Sequence, residues 1–290
     1  MESLATLSGV TKRYKEFRLN SIDLEIPAGQ IVGIIGPNGA GKTTTLELMM
    51  NMIKRDGGDV TIFGMRYPQD EKAIKNQIGY VGEVQHFYED RTVGWTGKFV
   101  SRFYSEWNEN EFDGLLMRFS LSRTKKVKSL SKGMRVKLAL TIALAHHPRL
   151  IILDEPTSGL DPVVRREVLE LLKERSLKDE QLGIIISSHI TDDLERIADT
   201  IHYMIAGEIV LSGEKDLLLD TWKKVHFKAD IVNDDMLRGL RNVERNMFGV
   251  SGVTKDFKSF HEAFSPHIQA GRIRVENIRL DDILISLMER

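Results

Sequence analysis

Gly36-Pro37-Asn38-Gly39-Ala40-Gly41-Lys42-Thr43 fits G-x-x-x-x-G-K-[ST] in full. The flanks suit the motif. Ile31-Val32-Gly33-Ile34-Ile35 comes before it, a continuous apolar run expected of a strand buried on both faces. A helix is predicted after it, from Lys42 to about Met52. In that setting the glycines let the backbone wrap a phosphate with successive N–H groups pointing inward. The helix N-terminus adds partial positive charge. Lys42 is expected to reach the β- and γ-phosphates and Thr43 to give its hydroxyl to Mg²⁺, with Thr44 continuing the cradle. The ligand implied is a nucleoside triphosphate. The motif names neither the base nor the work that the energy drives.

Further along, Leu150-Ile151-Ile152-Leu153 is a second buried run, and it opens into Asp154-Glu155-Pro156. Two acids at the mouth of an apolar strand are costly unless they have a task. Asp154 is expected to hold Mg²⁺, through water. Glu155, one residue further out, is placed to polarise an attacking water as a general base. Three more features lie around this pair. Leu130-Ser131-Lys132-Gly133-Met134 opens a long helical stretch from Arg135 to Ala145, Ser158-Gly159-Leu160-Asp161 follows the acids, and His189 ends a third buried run after Ser187-Ser188. Singly each has a plain reading: Ser131 as a helix cap, Ser158-Gly159 as a turn, His189 as a polar residue near the surface.

Buried runs alternating with helical stretches argue for an α/β fold with a parallel sheet. Residues 1–35 read as strands. A turn is expected at Ser8-Gly9, and Leu19 to Ile26 alternates as half-exposed antiparallel strands do. From Thr92 to about His147 the pattern turns helical. After about Asp220 the texture changes to short alternating pieces, Val225-His226-Phe227, Asn246-Met247-Phe248 and Arg272-Ile273-Arg274-Val275, closed by a helix from Asp281 to Met288. The expected division is a domain over 1–220, with a helical part at about 84–147, and a small α+β appendix over 221–290.

Taken together, the order and spacing of these motifs resemble the nucleotide-binding domains of ABC transporters, over roughly residues 2–215. The resemblance implies a P-loop NTPase with a mixed sheet on a RecA-like core, an antiparallel β subdomain and a helical subdomain. It implies ATP and Mg²⁺ as ligands. It also implies a dimer, with itself or a homologous subunit, in which Ser131 and Gly133 bind the γ-phosphate of ATP held by the other chain. The loop from Ser158 to Asp161 would couple the two sites, His189 would contact the γ-phosphate and attacking water, and Tyr14 would stack on adenine. Lys132 and Met134 stand where the family usually has glycine and glutamine, and Glu83 stands where it has the glutamine that senses Mg²⁺ and water. The signature and Glu83 are similar to those of bacterial multidrug, bacteriocin or antibiotic-resistance exporters with separate membrane subunits. The expectation is an ATPase in the cytoplasm, peripheral on the inner face of the membrane. A soluble relative acting on a cytosolic assembly is the alternative. A P-loop kinase has no use for the signature or His189.

Totals narrow the classes further. The chain has 290 residues, 41 Lys+Arg against 42 Asp+Glu and a net charge of −1, so nothing electrostatic points to nucleic acid. Cysteine is absent, which excludes disulfides, thiolate metal sites and thiol nucleophiles. The first residues lack a basic region and a long apolar run, so no signal peptide is expected, and no apolar run approaches the ~20 residues that cross a bilayer. Phe87, Tyr88, Trp95, Phe99, Phe103, Tyr104 and Trp107 concentrate beside Glu83. They read either as a groove for a short helix of a membrane subunit or as the filling of the helical part.

Overall fold

The computed structural model describes residues 2–247 and 249–289. Contacts divide the chain into two compact units, Met1–Leu211 and Ser212–Arg290. The division falls earlier than the change of texture near Asp220.

The first unit opens with β1 (Ser3–Arg13), β2 (Arg18–Pro27) and β3 (Ile31–Ile35), followed by α1 (Lys42–Met49), β4 (Gly57–Ile62), α2 (Glu71–Lys75) and β5 (Ile78–Val81). The helical part holds α3 (Val93–Val100), α4 (Glu109–Arg118) and α5 (Lys132–Leu144). Then come β6 (Leu150–Asp154), α6 (Pro162–Lys178), β7 (Gly183–Ser188), α7 (Thr191–Ile197), β8 (Thr200–Ile205) and β9 (Glu208–Glu214), the strand in which the division falls.

A six-stranded sheet has the order β5-β6-β7-β3-β8-β9. The pairs from β5 to β8 run parallel, with Asp154 beside Ser187 and Ile35 beside Ser188. This register is what builds the site. The phosphate loop, the acidic pair and the residues before His189 all leave the sheet at its carboxyl edge, where open α/β sheets bind ligands. β3, β6 and β7 are buried on both faces, as their unbroken apolar runs require.

A separate antiparallel sheet, β2-β1-β4, pairs Leu7 with both Leu24 and Val60. Its buried face joins Leu46, Met49, Leu150 and Ile185 in one apolar core. The turn expected at Ser8-Gly9 is instead a bulge inside β1. Gly9 takes φ +59, the register slips between Leu7 and Val10, and the Gly9 N–H donates to Asp23 Oδ1 at 2.8 Å.

The second unit contains α8 (Lys215–Thr221), β10 (Lys223–Lys228), α9 (Asp234–Leu237), β11 (Arg241–Asn246), β12 (Gly249–Thr254), α10 (Phe257–Gln269), β13 (Ile273–Asn277) and α11 (Leu280–Met288). The sheet order is β11-β12-β10-β13, with antiparallel pairs throughout. From β10 to β13 this is the split β-α-β of a ferredoxin-like fold. Val225, Phe227, Phe260 and Ile273 form its core. The alternating texture at Asn246-Met247 does not continue as a strand. β11 ends at Asn246, Met247 is an exposed turn residue, and Phe248 lies outside the described residues.

Candidate active site

Backbone geometry shapes the phosphate loop first. A Cβ on Gly36 would lie 2.2 Å from the Met204 carbonyl oxygen, so only glycine lets the loop leave β3 this close to β8. Gly41 takes φ +110 and occupies the cap position of α1. Among the described residues no side chain caps this helix, so its first N–H groups remain for a phosphate. The Gly207 N–H holds the Ala40 carbonyl at 2.9 Å, and the Thr45 hydroxyl donates to the Gly41 carbonyl at 2.9 Å. The Lys42 ammonium folds back over the loop. It donates to the carbonyls of Gly36 at 2.8 Å and Pro37 at 3.2 Å, and sits 3.1 Å from Glu155 Oε1.

The acidic pair is fixed from the neighbouring strand. Glu155 takes φ +49, a left-handed conformation costing a non-glycine residue roughly 1 kcal/mol. Its N–H is held by the Ser187 carbonyl at 3.2 Å and the Ser187 hydroxyl oxygen at 3.1 Å. The same hydroxyl donates to Asp154 Oδ1 at 2.6 Å. Glu155 Oε2 accepts the His189 backbone N–H at 3.2 Å and lies 2.6 Å from His189 Nδ1. Glu155 is 7% exposed and the His189 ring 40%, so the pair spans from the protein interior to the pocket.

Asp154 is 2% exposed, and its charge reaches its neighbours. Burial, then Asp154, pushes the Glu47 carboxyl up. Burial, then Asp154 and Glu47, pushes the Tyr80 hydroxyl up to about 12. This concentration of negative charge fits a hard cation bound through oxygen. Among the described residues, no three His, Asp or Glu side chains form a metal cage. Mg²⁺ typically takes one or two protein oxygens and completes its shell with water and substrate phosphates.

A pocket of about 840 Å³ brings the parts together. Asn38, Gly39, Ala40, Gly41, Lys42, Thr43, Thr44, Glu83, Glu155 and His189 line it, joined by Glu16, Phe17 and Ser158. Seven expected residues lie outside the lining: Gly36, Pro37, Asp154, Tyr14, Ser131, Gly133 and Asp161. Tyr14 is half exposed, 6.4 Å from the Phe17 ring, and Phe17 is the aromatic of the wall. Ser131 caps α5 by accepting the Met134 N–H, Gly133 is packed against Val164, and Asp161 caps α6 by accepting the N–H groups of Val163 and Val164. Sequence reasoning passed over Ser187 and Phe17. Two hydroxyls ending an otherwise apolar run just before His189 were the available signal for Ser187.

Comparison with known proteins gives the family. The family model described as ABC transporter matches residues 19–158. The bacitracin transport ATP-binding protein BcrA of Bacillus licheniformis is 33% identical over 213 residues, 72% of this chain and 69% of BcrA. The chain belongs to the ABC transporter family of ATP-binding proteins. An uncharacterized ABC transporter ATP-binding protein of Nostoc is 34% identical and matches 98% of this chain and 87% of its own length. The solved structure of an ATP-binding subunit of an ABC transporter aligns with a TM-score of 0.68 at 27% identity, covering 75% of this chain and 92% of that one. The ligands of this ABC ATPase are ATP and Mg²⁺, and its reaction is ATP hydrolysis.

Proposed function

We propose that the chain is the ATPase subunit of an exporter. It closes as a dimer around two Mg-ATP and drives transport through separate membrane chains. The observation that carries the reading is the division of the site. Lys42, Glu155 and His189 converge on one pocket, while Ser131, Gly133 and Asp161 stand at helix N-termini outside it. Helix N-termini that do not serve their own chain's pocket are suited to the phosphate of a second chain.

Within one site, phosphate draws Lys42 away from Glu155. The released carboxylate then orients the attacking water and takes its proton, and His189 holds the γ-phosphate side of the pair. Thr43 and Asp154 would hold Mg²⁺, which when bound neutralises charge on the β- and γ-phosphates. Phe17 forms the base end of the pocket, with Tyr14 next to it on the same hairpin.

The work is done at a membrane. Among the described residues no helix is long and apolar enough to cross one, so other chains supply the passage. Trp95 stacks on Phe99 at 5.1 Å, Tyr88 and Phe103 meet Phe99 edge-on, and both Tyr88 and Phe103 are more than half exposed. This aromatic surface around α3 suits a short apolar helix of a membrane subunit. Tyr104 and Trp107 turn inward, onto His146 and Phe112. The chain sits in the cytoplasm on the inner face of the membrane. The relative named for bacitracin transport suggests an antibiotic-type cargo. The second unit serves as a dimerisation or regulatory accessory.

The test is a pull-down of the tagged chain from detergent-solubilised host membranes, read by mass spectrometry. A multi-helix membrane protein in fixed ratio is expected. Recovery only from the soluble fraction, with a cytosolic partner or none, would overturn the transporter reading and leave an ATPase acting on a soluble assembly.

A further inference from the structure

The two groups that handle the attacking water stand on different loops, and one buried carboxylate ties those loops together. Glu155 opens the segment that runs through Thr157 and Ser158 into α6, and His189 opens the turn into α7. Asp193, in the first turn of α7, is fully buried. Its Oδ2 accepts the hydroxyl of Thr157, itself buried, at 2.6 Å, and its Oδ1 pairs with the guanidinium of Arg165 on α6. The Asp193 N–H donates to the Ile190 carbonyl at 3.2 Å, which closes the turn that begins at His189. Ser158, the neighbour of Thr157, lines the nucleotide pocket.

We infer that Asp193 is a positioning residue for hydrolysis, holding the Glu155 loop in register with His189. A buried charge is retained at a cost unless its partners are well placed. Here the partners are the hydroxyl and the guanidinium of the loop and helix that follow the base. Small displacements of reacting groups cost large factors in rate. Among the described residues no hydrogen bond or ion pair joins Asp193 to the phosphate loop, so the effect falls on turnover and spares ATP binding. The inference rests on Glu155 and His189 being the hydrolytic pair.

The experiment uses the full chain and reads kcat, KM, ATP affinity and melting temperature. Thr157→Val removes the hydroxyl at nearly constant volume, Thr157→Ser restores it, and Asp193→Asn removes the charge. Thr157→Val and Asp193→Asn are expected to lower kcat about 10- to 100-fold with ATP affinity within about twofold of wild type. Thr157→Ser should recover most of what Thr157→Val loses, and the double variant should fall little below the worse single one. Unchanged kcat, or a loss that follows melting temperature and is not rescued by serine, overturns the inference. Glu155→Gln is the control. If it turns over normally, the hydrolytic pair is misassigned and the inference falls with it. If it alone stops turnover, only the role of Asp193 fails.

Discussion

Lys42 Nζ lies 3.1 Å from Glu155 Oε1, and both side chains are more than nine-tenths buried. The cation proposed for phosphate and the carboxylate proposed for water are therefore paired with each other. Glu155→Gln removes this pairing. It should bind Mg-ATP several-fold more tightly than wild type, while turnover falls about 10²- to 10⁴-fold with loss of the base. Nucleotide titration and a phosphate-release assay check the two effects separately. Lys42→Ala leaves Glu155 charged and buried without its partner, at a cost of about 3 kcal/mol, and should lose ATP binding. Unchanged ATP affinity in that variant would remove the phosphate-loop assignment.

Ser187 joins the acids from a neighbouring strand, donating to Asp154 Oδ1 at 2.6 Å and accepting the Glu155 N–H at 3.1 Å. Ser187→Ala should loosen both residues at once. The Mg²⁺ concentration for half-maximal activity is expected to rise about 10-fold or more, in the range seen for partners of metal-binding groups. ATP binding without Mg²⁺ should be nearly unchanged. A Mg²⁺ titration of activity in wild type and variant decides it, and overlapping curves would sink the role of Ser187.

Ser187 also marks where sequence reasoning stops. The loop from Gly36 to Thr43, the run into Asp154 and the run ending at His189 were legible because each is local: a motif, an apolar stretch, an acid or imidazole at its end. Their meeting depends on the sheet order, which sets Asp154 beside Ser187 and Ile35 beside Ser188. No periodicity states that order. The same holds for Thr157 and Asp193, which are far apart in sequence and joined only by packing. In the second unit, Asn246-Met247 carries an alternating texture, yet β11 ends at Asn246 and Met247 is an exposed turn residue. A bulge at Gly9 likewise shows the composition of a turn while the strand continues through it.

Phe17 and Tyr14 are the two aromatic candidates for the base. The Tyr14 N–H donates to the Phe17 carbonyl at 2.8 Å, so both sit on one tight hairpin, but only Phe17 lines the pocket. A Cβ on Gly41 would lie 2.9 Å from the end of the Phe17 ring, so this aromatic reaches the phosphate loop itself. Stacking on a base is worth about 1–3 kcal/mol by alanine substitution at nucleic-acid sites. Phe17→Ala should therefore weaken ATP binding about tenfold, with a smaller effect for Tyr14→Ala. Titration with ATP and with inorganic triphosphate separates base contacts from phosphate contacts. A larger loss in Tyr14→Ala would mean that the hairpin moves to bring Tyr14 over the base.

The buried histidine of β8 gives the chain a pH-dependent stability. Burial pulls the His202 imidazole down to about 4 from an ordinary value of 6.5. Burial also lowers His146, against the pull of the Ile78 and Ile142 carbonyls. Between these two values the unfolded chain binds more protons at position 202 than the folded chain. The stability from keeping this ring neutral is thus complete above about pH 6.5 and is lost as the pH falls toward about 4. At about 1.4 kcal/mol per pH unit, the loss between roughly pH 7 and pH 5 is about 2 kcal/mol. His202→Leu has no such proton to take up. Urea denaturation at both pH values should show wild type losing about 2 kcal/mol more than the variant, and parallel losses in the two proteins would mean that position 202 does not titrate on unfolding.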